Sequence, residues 1–449
     1  MDYKDIEIPI SLENPSISLE KEKCIKCGKC RDICNNEVTV ARMYELGITK
    51  EPICINCGQC AIYCPTEAIF EKYDYLKVKE YLKRKDKTIV FNIAPAVRVA
   101  IGEEFGFEVG ENLDQQIVGA LKSIGADYVF DITFGADLTI MEEAMELVTR
   151  IKENKKLPMF TSCCPAWVKY AEIFYPEILP NLSTCKSPIA MQGTTIKTYF
   201  AKKINVKPKD LINIVIAPCT AKKYEIKRNE LNVTDTYDTD YILTTRELAK
   251  LLKEEKVDLK NIAKSEFDSP LGLGTGAAVI FGNTGGVMEA ALRTAYFYLT
   301  GKDLENNQLV FSEVRGMNGI KETKIDINGL IVKVAIANGM KNAKKLLDKM
   351  KEKTLDYQFI EVMNCSGGCI AGGGQPKTTL LNMNITKKKR IDGLYLEDEK
   401  MIKRVSYKNP DIVKIYREFY EKPNSKIAHQ YLHTTYTDKS ILLKGGKLQ

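Results

Sequence analysis

Histidine and tryptophan are scarce in this chain of 449 residues, which has two histidines and one tryptophan. His429 and His433 lie four residues apart, a spacing that could bind zinc, but the sequence offers no third ligand to accompany them. We therefore interpret both histidines as structural. Trp167, the single tryptophan, is interpreted as a packing residue.

Long apolar runs are also lacking. No stretch approaches the roughly 20 apolar residues that a membrane-spanning helix needs. The first residues, Met1 to Pro9, are polar and acidic, unlike a secretory signal. These absences predict a cytoplasmic protein without a membrane partner.

Charge is unevenly distributed along the chain. The net charge is +7, yet residues 1–75 contain nine Lys and Arg against thirteen Asp and Glu, whereas residues 376–449 contain sixteen against eight. The basic tail includes the run Lys387 to Arg390. No nucleic-acid-binding module accompanies it, so nucleic acid is not an expected partner. A solvated face, or a docking surface for an acidic electron carrier, explains the tail better.

Cysteine, by contrast, is abundant, with fourteen in the chain. Eight of them form two runs of the spacing Cys-x2-Cys-x2-Cys-x3-Cys, which are Cys24, Cys27, Cys30 and Cys34, then Cys54, Cys57, Cys60 and Cys64. Bacterial ferredoxins use this spacing for two [4Fe–4S] clusters, and the fourth cysteine of each run binds the other cluster. The prediction is one cluster on Cys24, Cys27, Cys30 and Cys64 and a second on Cys34, Cys54, Cys57 and Cys60. A zinc ribbon, the alternative, would use two cysteines per knuckle rather than four in a row.

After a charged connector at 77–87, the chain alternates between strand and helix patterns. The predicted strands are 88–93, 128–132, 159–160, 211–216, 330–337 and 357–363. The predicted helices are 97–102, 114–124, 138–152 and 340–351, and the chain beyond 376 is helix-prone. Such alternation favours parallel sheets between helices, with functional residues at the carboxyl ends of the strands.

Five more cysteines lie in three stretches that are far apart in the sequence. These are Thr161-Ser-Cys-Cys-Pro-Ala-Trp167, Ala217-Pro-Cys-Thr-Ala-Lys-Lys-Tyr-Glu225 and Glu361-Val-Met-Asn-Cys-Ser-Gly-Gly-Cys-Ile-Ala-Gly-Gly-Gly-Gln-Pro376. The Cys-x3-Cys step in the last stretch predicts two thiols on one face of a helical turn, and its glycines predict close approach to something bulky. Thiolates suit iron in a glycine-lined pocket. The remaining cysteine, Cys185, is interpreted as a small core residue.

Together these motifs resemble the [FeFe]-hydrogenase family over nearly the whole chain, and they are most similar to a variant clostridial type with two accessory clusters. The resemblance implies an α+β ferredoxin-like N-terminal domain at 1–78 and an α/β, two-lobed catalytic domain at 88–376. A basic helical tail at 377–449, similar to a small subunit, would wrap around the catalytic domain.

The resemblance also implies the catalytic cofactor, the H-cluster. Cys164, Cys219, Cys365 and Cys369 would bind a third [4Fe–4S] cluster. Cys369 would also bridge to a diiron unit that carries CO, CN and an azadithiolate. Lys222 would donate a hydrogen bond to a cyanide ligand. The other residues expected around the cofactor are Ala94, Pro95, Ala217, Pro218 and Met363.

A proton route is implied as well. In the family, the counterpart of Cys163 passes protons between the cofactor and the protein. From there the route would run through Glu143, a water, Ser183 and Glu146 to Arg150 near the surface. Three of these residues share one face of a helix, a pattern that is otherwise typical of a solvated face.

Several residues depart from the commonest family pattern. They are Ala96, Ala166, Ala217, Asn364 and Ser366, and Asn35 follows Cys34 where proline is frequent. We expect these changes to alter cluster potential, gas access and catalytic bias rather than the class of chemistry.

The resemblance therefore implies a ferredoxin hydrogenase that interconverts protons and H2. Its expected partners are ferredoxin or flavodoxin as electron carrier and the proteins that mature the H-cluster. Two alternatives remain open. A hydrogen or redox sensor would use the same site, although no output domain is visible. An iron–sulfur assembly factor of the nuclear prelamin recognition type would hold the cubane without a diiron unit.

Overall fold

In the computed structural model, which describes residues 10–40, 53–305, 308–352 and 356–444, the chain builds three β-sheets. The ten strands are β1 (Ile17–Leu19), β2 (Ile69–Glu71), β3 (Thr88–Ile93), β4 (Tyr128–Asp131), β5 (Met159–Phe160), β6 (Leu211–Ala217), β7 (Tyr241–Thr244), β8 (Ile320–Ile327), β9 (Leu330–Asn338) and β10 (Phe359–Met363). Strands β1 and β2 form an antiparallel pair. Four parallel strands form a sheet in the order β4-β3-β6-β7, and a mixed sheet has the order β5-β10-β9-β8.

Helices lie around all three sheets, and the first two belong to the ferredoxin-like segment. They are α1 (Lys29–Ile33), α2 (Gln59–Ile62), α3 (Tyr75–Leu82), α4 (Pro95–Arg98), α5 (Asp114–Ser123), α6 (Ile132–Glu153), α7 (Pro165–Phe174), α8 (Pro188–Thr195), α9 (Ala201–Lys203), α10 (Lys222–Glu225), α11 (Thr245–Glu254), α12 (Gly276–Val279), α13 (Gly286–Thr300), α14 (Met340–Lys351), α15 (Met383–Lys400), α16 (Pro410–Ile415) and α17 (Lys426–Leu432). The predicted α/β architecture with a ferredoxin-like start and a helical tail is confirmed. None of the helices among the described residues is both long and apolar enough to cross a bilayer.

The central strands are apolar and buried on both faces, as expected of strands in a parallel sheet between helices. Every residue of β6 and β10 is buried, and so are five of the six residues of β3. Separate apolar cores pack against the two large sheets. Each sheet therefore anchors its own lobe, and the lobes meet at the carboxyl ends of their strands.

Two expectations about the N-terminal part were wrong. The segment expected to be a charged connector at 77–87 is mostly the helix α3, whose Tyr75 and Val78 are buried against the parallel-sheet core. Residues 1–20, expected to be a short polar lead-in, include β1, which pairs with β2 across the two cysteine runs. Both elements are short and mostly polar, so their periodicity is weak in the sequence and tertiary pairing determines them.

The long helix α6 connects the interior to the surface, and it begins six residues earlier than predicted. Asp131 caps its start by accepting a hydrogen bond from the Thr133 amide at 2.9 Å. Asn154 ends it in a left-handed conformation with φ of 50°. Because β4 runs directly into α6, no turn residues mark the junction in the sequence.

Candidate active site and iron–sulfur centres

The candidate active site is a cavity of about 90 Å³ between the two lobes. Residues at the carboxyl ends of four strands line this cavity. Ala94 and Pro95 follow β3, and Cys163 and Cys164 follow β5. Pro218 follows β6, and Met363 is the last residue of β10. Binding sites of open α/β sheets lie in this position. The strand ends thus bring side chains from distant parts of the sequence together in one cavity.

All five cysteines of the three signature stretches line this cavity, and all are free thiols. They are Cys163, Cys164, Cys219, Cys365 and Cys369. The remaining lining is apolar or backbone except for Lys222 and Asn364. A dry pocket with four or five thiols suits an iron–sulfur cluster, because soft thiolates are the ligands such clusters use.

The stretch that contains Cys365 and Cys369 is not a single helical turn, which corrects the sequence interpretation. Gly367 and Gly368 adopt φ values of 106° and 93°, and a short 3-10 turn starts only at Cys369. These positive φ values favour glycine. The two thiols reach the cavity through a glycine-directed reversal of the backbone rather than through helical periodicity.

The glycines in this stretch approach protein backbone. A Cβ atom at Gly368 would lie 2.5 Å from the Thr284 amide nitrogen, and one at Gly372 would lie 2.2 Å from the Pro218 carbonyl oxygen. At Gly373 the added atom would lie 2.3 Å from the carbonyl oxygen of Cys57. The glycines therefore let three other segments close around the thiols, one of them from the ferredoxin-like domain.

Lys222 is the single cation in the lining of the cavity. Its Nζ donates to Glu225 Oε2 at 2.8 Å and to the carbonyl oxygen of Cys163 at 3.2 Å. Burial alone would lower the pKa of Lys222, but the Glu225 carboxylate raises it above its ordinary value. The ammonium group is therefore held charged beside the thiols.

Cys163 and Glu143 are neighbours at the rear of the cavity. Burial raises the pKa of Cys163 well above its ordinary range, and the negative charge of Glu143 raises it further. Burial also raises the pKa of Glu143 to about 8, with a second contribution from Glu146, and the nearby Ser183 hydroxyl offsets only part of this rise. Neither carboxylate oxygen of Glu143 makes a hydrogen bond of good geometry among the described residues, although the Ser183 hydroxyl is near. Glu143 is thus a buried carboxyl group that keeps its proton more readily than an ordinary glutamate.

The residues predicted beyond Glu143 form a connected chain. The Ser183 hydroxyl donates to Glu146 Oε2 at 3.0 Å, and Arg150 Nη2 donates to Glu146 Oε1 at 2.6 Å. Arg150 also donates to the carbonyl oxygen of Leu182 at 2.8 Å. Arg150 is buried, with 6% of its surface exposed, so it lies deeper than expected.

The first ferredoxin-type site contains the four cysteines predicted for it. A cavity of about 20 Å³ is lined by Cys24, Cys27, Cys30 and Cys64. Gly28 and the corresponding Gly58 of the second run both take left-handed conformations, with φ of 77° and 68°, and each starts a short helix. The two runs therefore fold as a repeat.

The second set of cysteines adjoins the active site. Burial and the nearby thiols of Cys54 and Cys34 raise the pKa of Cys60. The neighbours of Cys57 include both Cys60 and Cys365. This set therefore lies between the first site and the catalytic cavity.

Sequence reasoning missed Gln59, which connects these two sites. Its Nε2 donates to Cys365 Sγ at 3.1 Å and to the carbonyl oxygen of Ala371 at 3.0 Å. The residue lies inside the second cysteine run, but the motif specifies the spacing of the thiols and not the residues between them. Its partner lies 306 positions away, so the sequence carries no local signal for it.

An ion pair that joins the ferredoxin-like segment to the catalytic cavity was also missed. The Arg246 guanidinium donates to the Glu71 carboxylate, which is buried, and to the carbonyl oxygen of Gly373 at 2.9 Å. Although burial opposes it, Arg246 holds the pKa of Glu71 below its ordinary value. The Arg246 side chain therefore binds both Glu71 of the ferredoxin-like segment and Gly373 of the glycine-rich segment.

The unusual motif residues differ in their closeness to the cavity. Ala96, Ala217 and Asn364 line it, and Asn364 Nδ2 donates to Cys365 Sγ at 3.5 Å. Ser366 is exposed and Ala166 is a buried core residue of α7, and neither belongs to the lining. The first three residues are thus the ones placed to affect a bound cofactor.

The fold and the thiols define a redox protein of the iron–sulfur class, with two ferredoxin-type sites beside a third, buried one. Three family models match: "Iron only hydrogenase large subunit, C-terminal domain" at 87–373, "Iron hydrogenase small subunit" at 384–439 and "4Fe-4S binding domain" at 51–70. The chain belongs to the iron-only hydrogenase family. Its cofactors are [4Fe–4S] clusters and the H-cluster, and it is a hydrogenase.

Individual relatives agree with this assignment. Iron hydrogenase 1 from Clostridium pasteurianum is 40% identical over 96% of this chain and 78% of its own length. A solved structure of a variant of apo [FeFe]-hydrogenase HydA1 from Chlamydomonas reinhardtii is 39% identical, with a TM-score of 0.72 over 84% of this chain and 100% of that chain. A nuclear prelamin A recognition factor from Mus musculus is 31% identical over 81% of this chain and 80% of its own length.

Proposed function

We propose that this protein is a ferredoxin hydrogenase, which catalyses 2 H⁺ + 2 e⁻ ⇌ H2 with electrons from ferredoxin or flavodoxin. The observation that carries the proposal is the convergence of five thiols on one dry cavity beside two ferredoxin-type sites. Cys164, Cys219, Cys365 and Cys369 would hold the cubane of the H-cluster. When bound, the H-cluster supplies the metal at which the H–H bond forms or breaks.

Electrons would travel through the two accessory clusters in sequence. The first set of cysteines lies beside the exposed residues Ile25 and Lys26, and the second set adjoins Cys365 through Cys57. The hydrogen bond from Gln59 to Cys365 supports this order, because it holds the second site against the third. In this proposal residues 1–78 form the electron-transfer domain, residues 88–376 form the catalytic domain, and residues 377–449 form the helical tail.

The carrier would dock beside the first cluster rather than on the basic tail. Exposed lysines surround that site at Lys21, Lys23, Lys26 and Lys29, around the exposed side chain of Ile25. Acidic carriers are attracted to such a cationic rim around an apolar centre.

The tail's basic run is largely paired, and in the lysine rim Lys23 is paired with Glu20. Arg390 is buried against Glu103, with Nε to Oε1 at 2.7 Å. Lys388 forms an ion pair with Asp392 within the same helix. These pairs reduce the positive charge that the run offers to a carrier.

Protons would use the route that begins at Cys163. The thiol would exchange its proton with Glu143, and Ser183 and Glu146 would carry it toward Arg150. Glu143 suits this role because its raised pKa lets it take up and release a proton near neutral pH. Arg150 would act by holding the Glu146 carboxylate in place through its hydrogen bond.

Ala94, Pro95, Ala217, Pro218 and Met363 would form the apolar walls around the cofactor, with Lys222 as the hydrogen-bond donor to it. A reducing, cytoplasmic environment is in keeping with fourteen cysteines that are all free thiols. Dedicated maturation proteins would supply the diiron unit.

The carrier proposal is tested by H2 evolution with reduced ferredoxin at increasing salt. The variant Lys26→Glu should raise the KM for ferredoxin several-fold at low salt and leave viologen-driven evolution unchanged. Lys388→Glu on α15 is the matched control, because it reverses an exposed charge on the tail helix and outside the lysine rim. Equal effects of the two variants, or no salt dependence, would disprove docking at the lysine rim.

A further inference from the structure

A partly buried cation lies between the catalytic domain and the second cysteine run. Lys169 is on α7, the helix that begins directly after Cys163 and Cys164. Its Nζ donates to Asn56 Oδ1 at 2.6 Å and lies 4.1 Å from the centre of the Tyr224 ring. Among the described residues, Lys169 forms no ion pair with a carboxylate. Because burying an unpaired charge is costly, an anionic neighbour is expected here.

The nearby carboxylates are already bound to other cations. Glu172, three residues further along α7, binds Arg228 with Oε1 to Nη2 at 2.7 Å and also binds the ammonium group of Lys439. Glu230 accepts from Arg228 as well, with Oε1 to Nε at 2.8 Å. Two carboxylates thus balance two cations, and the positive charge of Lys169 is left over.

Asn56 connects this charge to the second cysteine run. It lies between Cys54 and Cys57 in a left-handed conformation with φ of 65°, and its backbone amide donates to Cys54 Sγ at 3.3 Å. Its carbonyl oxygen accepts from the Thr220 hydroxyl at 2.7 Å, which fixes the loop against the segment after β6. Asn56 therefore receives the ammonium group of Lys169 on its side chain and donates to a cluster thiol from its backbone.

The surroundings of Lys169 support the same direction of interaction. Burial lowers the pKa of Lys169 to about 8, and the cations Lys439 and Arg228 lower it further. Negative charge on Cys54 acts against burial more strongly than the Glu172 carboxylate does. The ammonium group is therefore stabilised chiefly from the side of the cluster ligands.

The first cysteine run differs at the equivalent position. Lys26 stands between Cys24 and Cys27 where Asn56 stands in the second run, with a similar left-handed φ of 53°. The Lys26 side chain is exposed, so water and salt screen its charge. Lys169 is less accessible to solvent, so its charge acts more strongly on the second site than that of Lys26 does on the first.

We propose that Lys169 is a positioning residue for electron transfer, whose positive charge raises the reduction potential of the second accessory cluster. A [4Fe–4S] cluster held by four thiolates is anionic and becomes more negative on reduction, so a nearby cation stabilises its reduced form more than its oxidised form. A higher potential at the second cluster favours electron transfer to it from the first. This consequence rests on the proposed function, whereas the effect on the potential does not.

The potential is measured by redox titration of anaerobic protein that carries its iron–sulfur clusters, followed by electron paramagnetic resonance. Lys169→Met removes the charge and keeps a side chain of similar length. We expect a tenfold or larger change in the reduction equilibrium of one cluster, which lowers its midpoint potential by at least about 59 mV. The first cluster should keep its potential, and the iron content should stay native. Lys169→Arg, which keeps the charge, should stay close to the native potential.

Lys439→Met is the matched control. Lys439 lies against the same Tyr224 ring, with Nζ 5.5 Å from the centre, but it is paired with Glu172. We therefore expect a much smaller shift in this variant. Equal shifts in the two methionine variants, or no shift in Lys169→Met, would overturn the proposal. Loss of iron from Lys169→Met would show that Lys169 holds the cluster loop in place, and would overturn it as well.

The consequence for electron transfer is tested on the fully loaded enzyme. H2 evolution driven by reduced ferredoxin should slow several-fold in Lys169→Met and stay near the native rate in Lys169→Arg. A lowered potential with an unchanged rate would overturn the role in electron transfer and leave the effect on the potential standing. Absence of H2 evolution in the native chain would instead count against the proposed function.

Discussion

The substitution Glu143→Gln examines the proton route most sharply, because it separates the loss of a titratable proton from the loss of structure. Glutamine has nearly the same shape as a protonated glutamate. The Glu143 carboxylate makes no well-formed hydrogen bond among the described residues that the amide would forfeit, and an amide oxygen can still accept from the nearby Ser183 hydroxyl. We therefore expect the variant to fold and to bind its clusters normally.

The structure gives the magnitude of the effect on stability. Burial, and then the charge of Glu146, raise the pKa of Glu143 from 4.5 to about 8 in the folded state. Between these two pH values the folded chain keeps a proton that the unfolded chain has lost, so the free energy of unfolding falls as pH rises, by about 1.4 kcal/mol per unit. Over the whole range from pH 4.5 to pH 8, the free energy of unfolding falls by on the order of 5 kcal/mol. Glu143→Gln avoids this loss.

The prediction is thus a variant that is more stable at high pH and catalytically impaired. Thermal unfolding of cluster-loaded, anaerobic protein should show the variant close to the native chain near pH 5 and clearly above it at pH 8. Viologen-driven H2 evolution should fall by about 10²- to 10⁴-fold, the range for removal of a general acid–base. Glu143→Asp, which keeps a carboxyl group, should lose less activity. Native activity in Glu143→Gln, or a pH-independent difference in unfolding temperature, would refute this reasoning.

Three further predictions concern the thiols and the domain contact. Cys163→Ala should retain native iron content but lose at least about 10²-fold in turnover; an iron content that falls together with activity would instead make Cys163 a ligand. Cys34→Ser should lose one accessory cluster while the cluster on Cys24 persists, as measured by iron content and electron paramagnetic resonance; retention of all clusters would contradict the crossed ligation. Arg246→Ala leaves the buried Glu71 carboxylate unpaired and should destabilise the protein by about 3–5 kcal/mol, seen as a lower unfolding temperature; an unchanged temperature would rule out this ion pair as the domain anchor.

The elements that the sequence predicted best are those whose residues carry their own signal. The strand at Thr88–Ile93 and the helix at Met340–Lys351 have the predicted bounds, because an unbroken apolar run and a strong amphipathic pattern each specify one structure. The grouping of Cys24, Cys27, Cys30 and Cys64 in one cavity follows from the ferredoxin spacing in the same way.

The features that sequence reasoning missed depend on contacts between distant segments. The reversal at Gly367 and Gly368 looks like a helical turn when only the spacing of the cysteines is considered. The hydrogen bonds of His433 with Glu142 and Thr184, at 3.1 and 2.7 Å, likewise join segments that are far apart in the sequence. Tertiary proximity of this kind leaves no periodicity or spacing in the chain.

The central claim is that the thiol-lined cavity holds an H-cluster that makes H2. The most direct measurement is H2 formation from reduced methyl viologen by the anaerobic protein, first with its cubanes alone and then after addition of the diiron unit. We predict no H2 before the addition and rapid H2 formation after it, with infrared bands of bound CO and CN appearing at the same time. Those bands without H2 would point to a sensor, and failure to take up the diiron unit would point to an assembly factor; either would contradict the account.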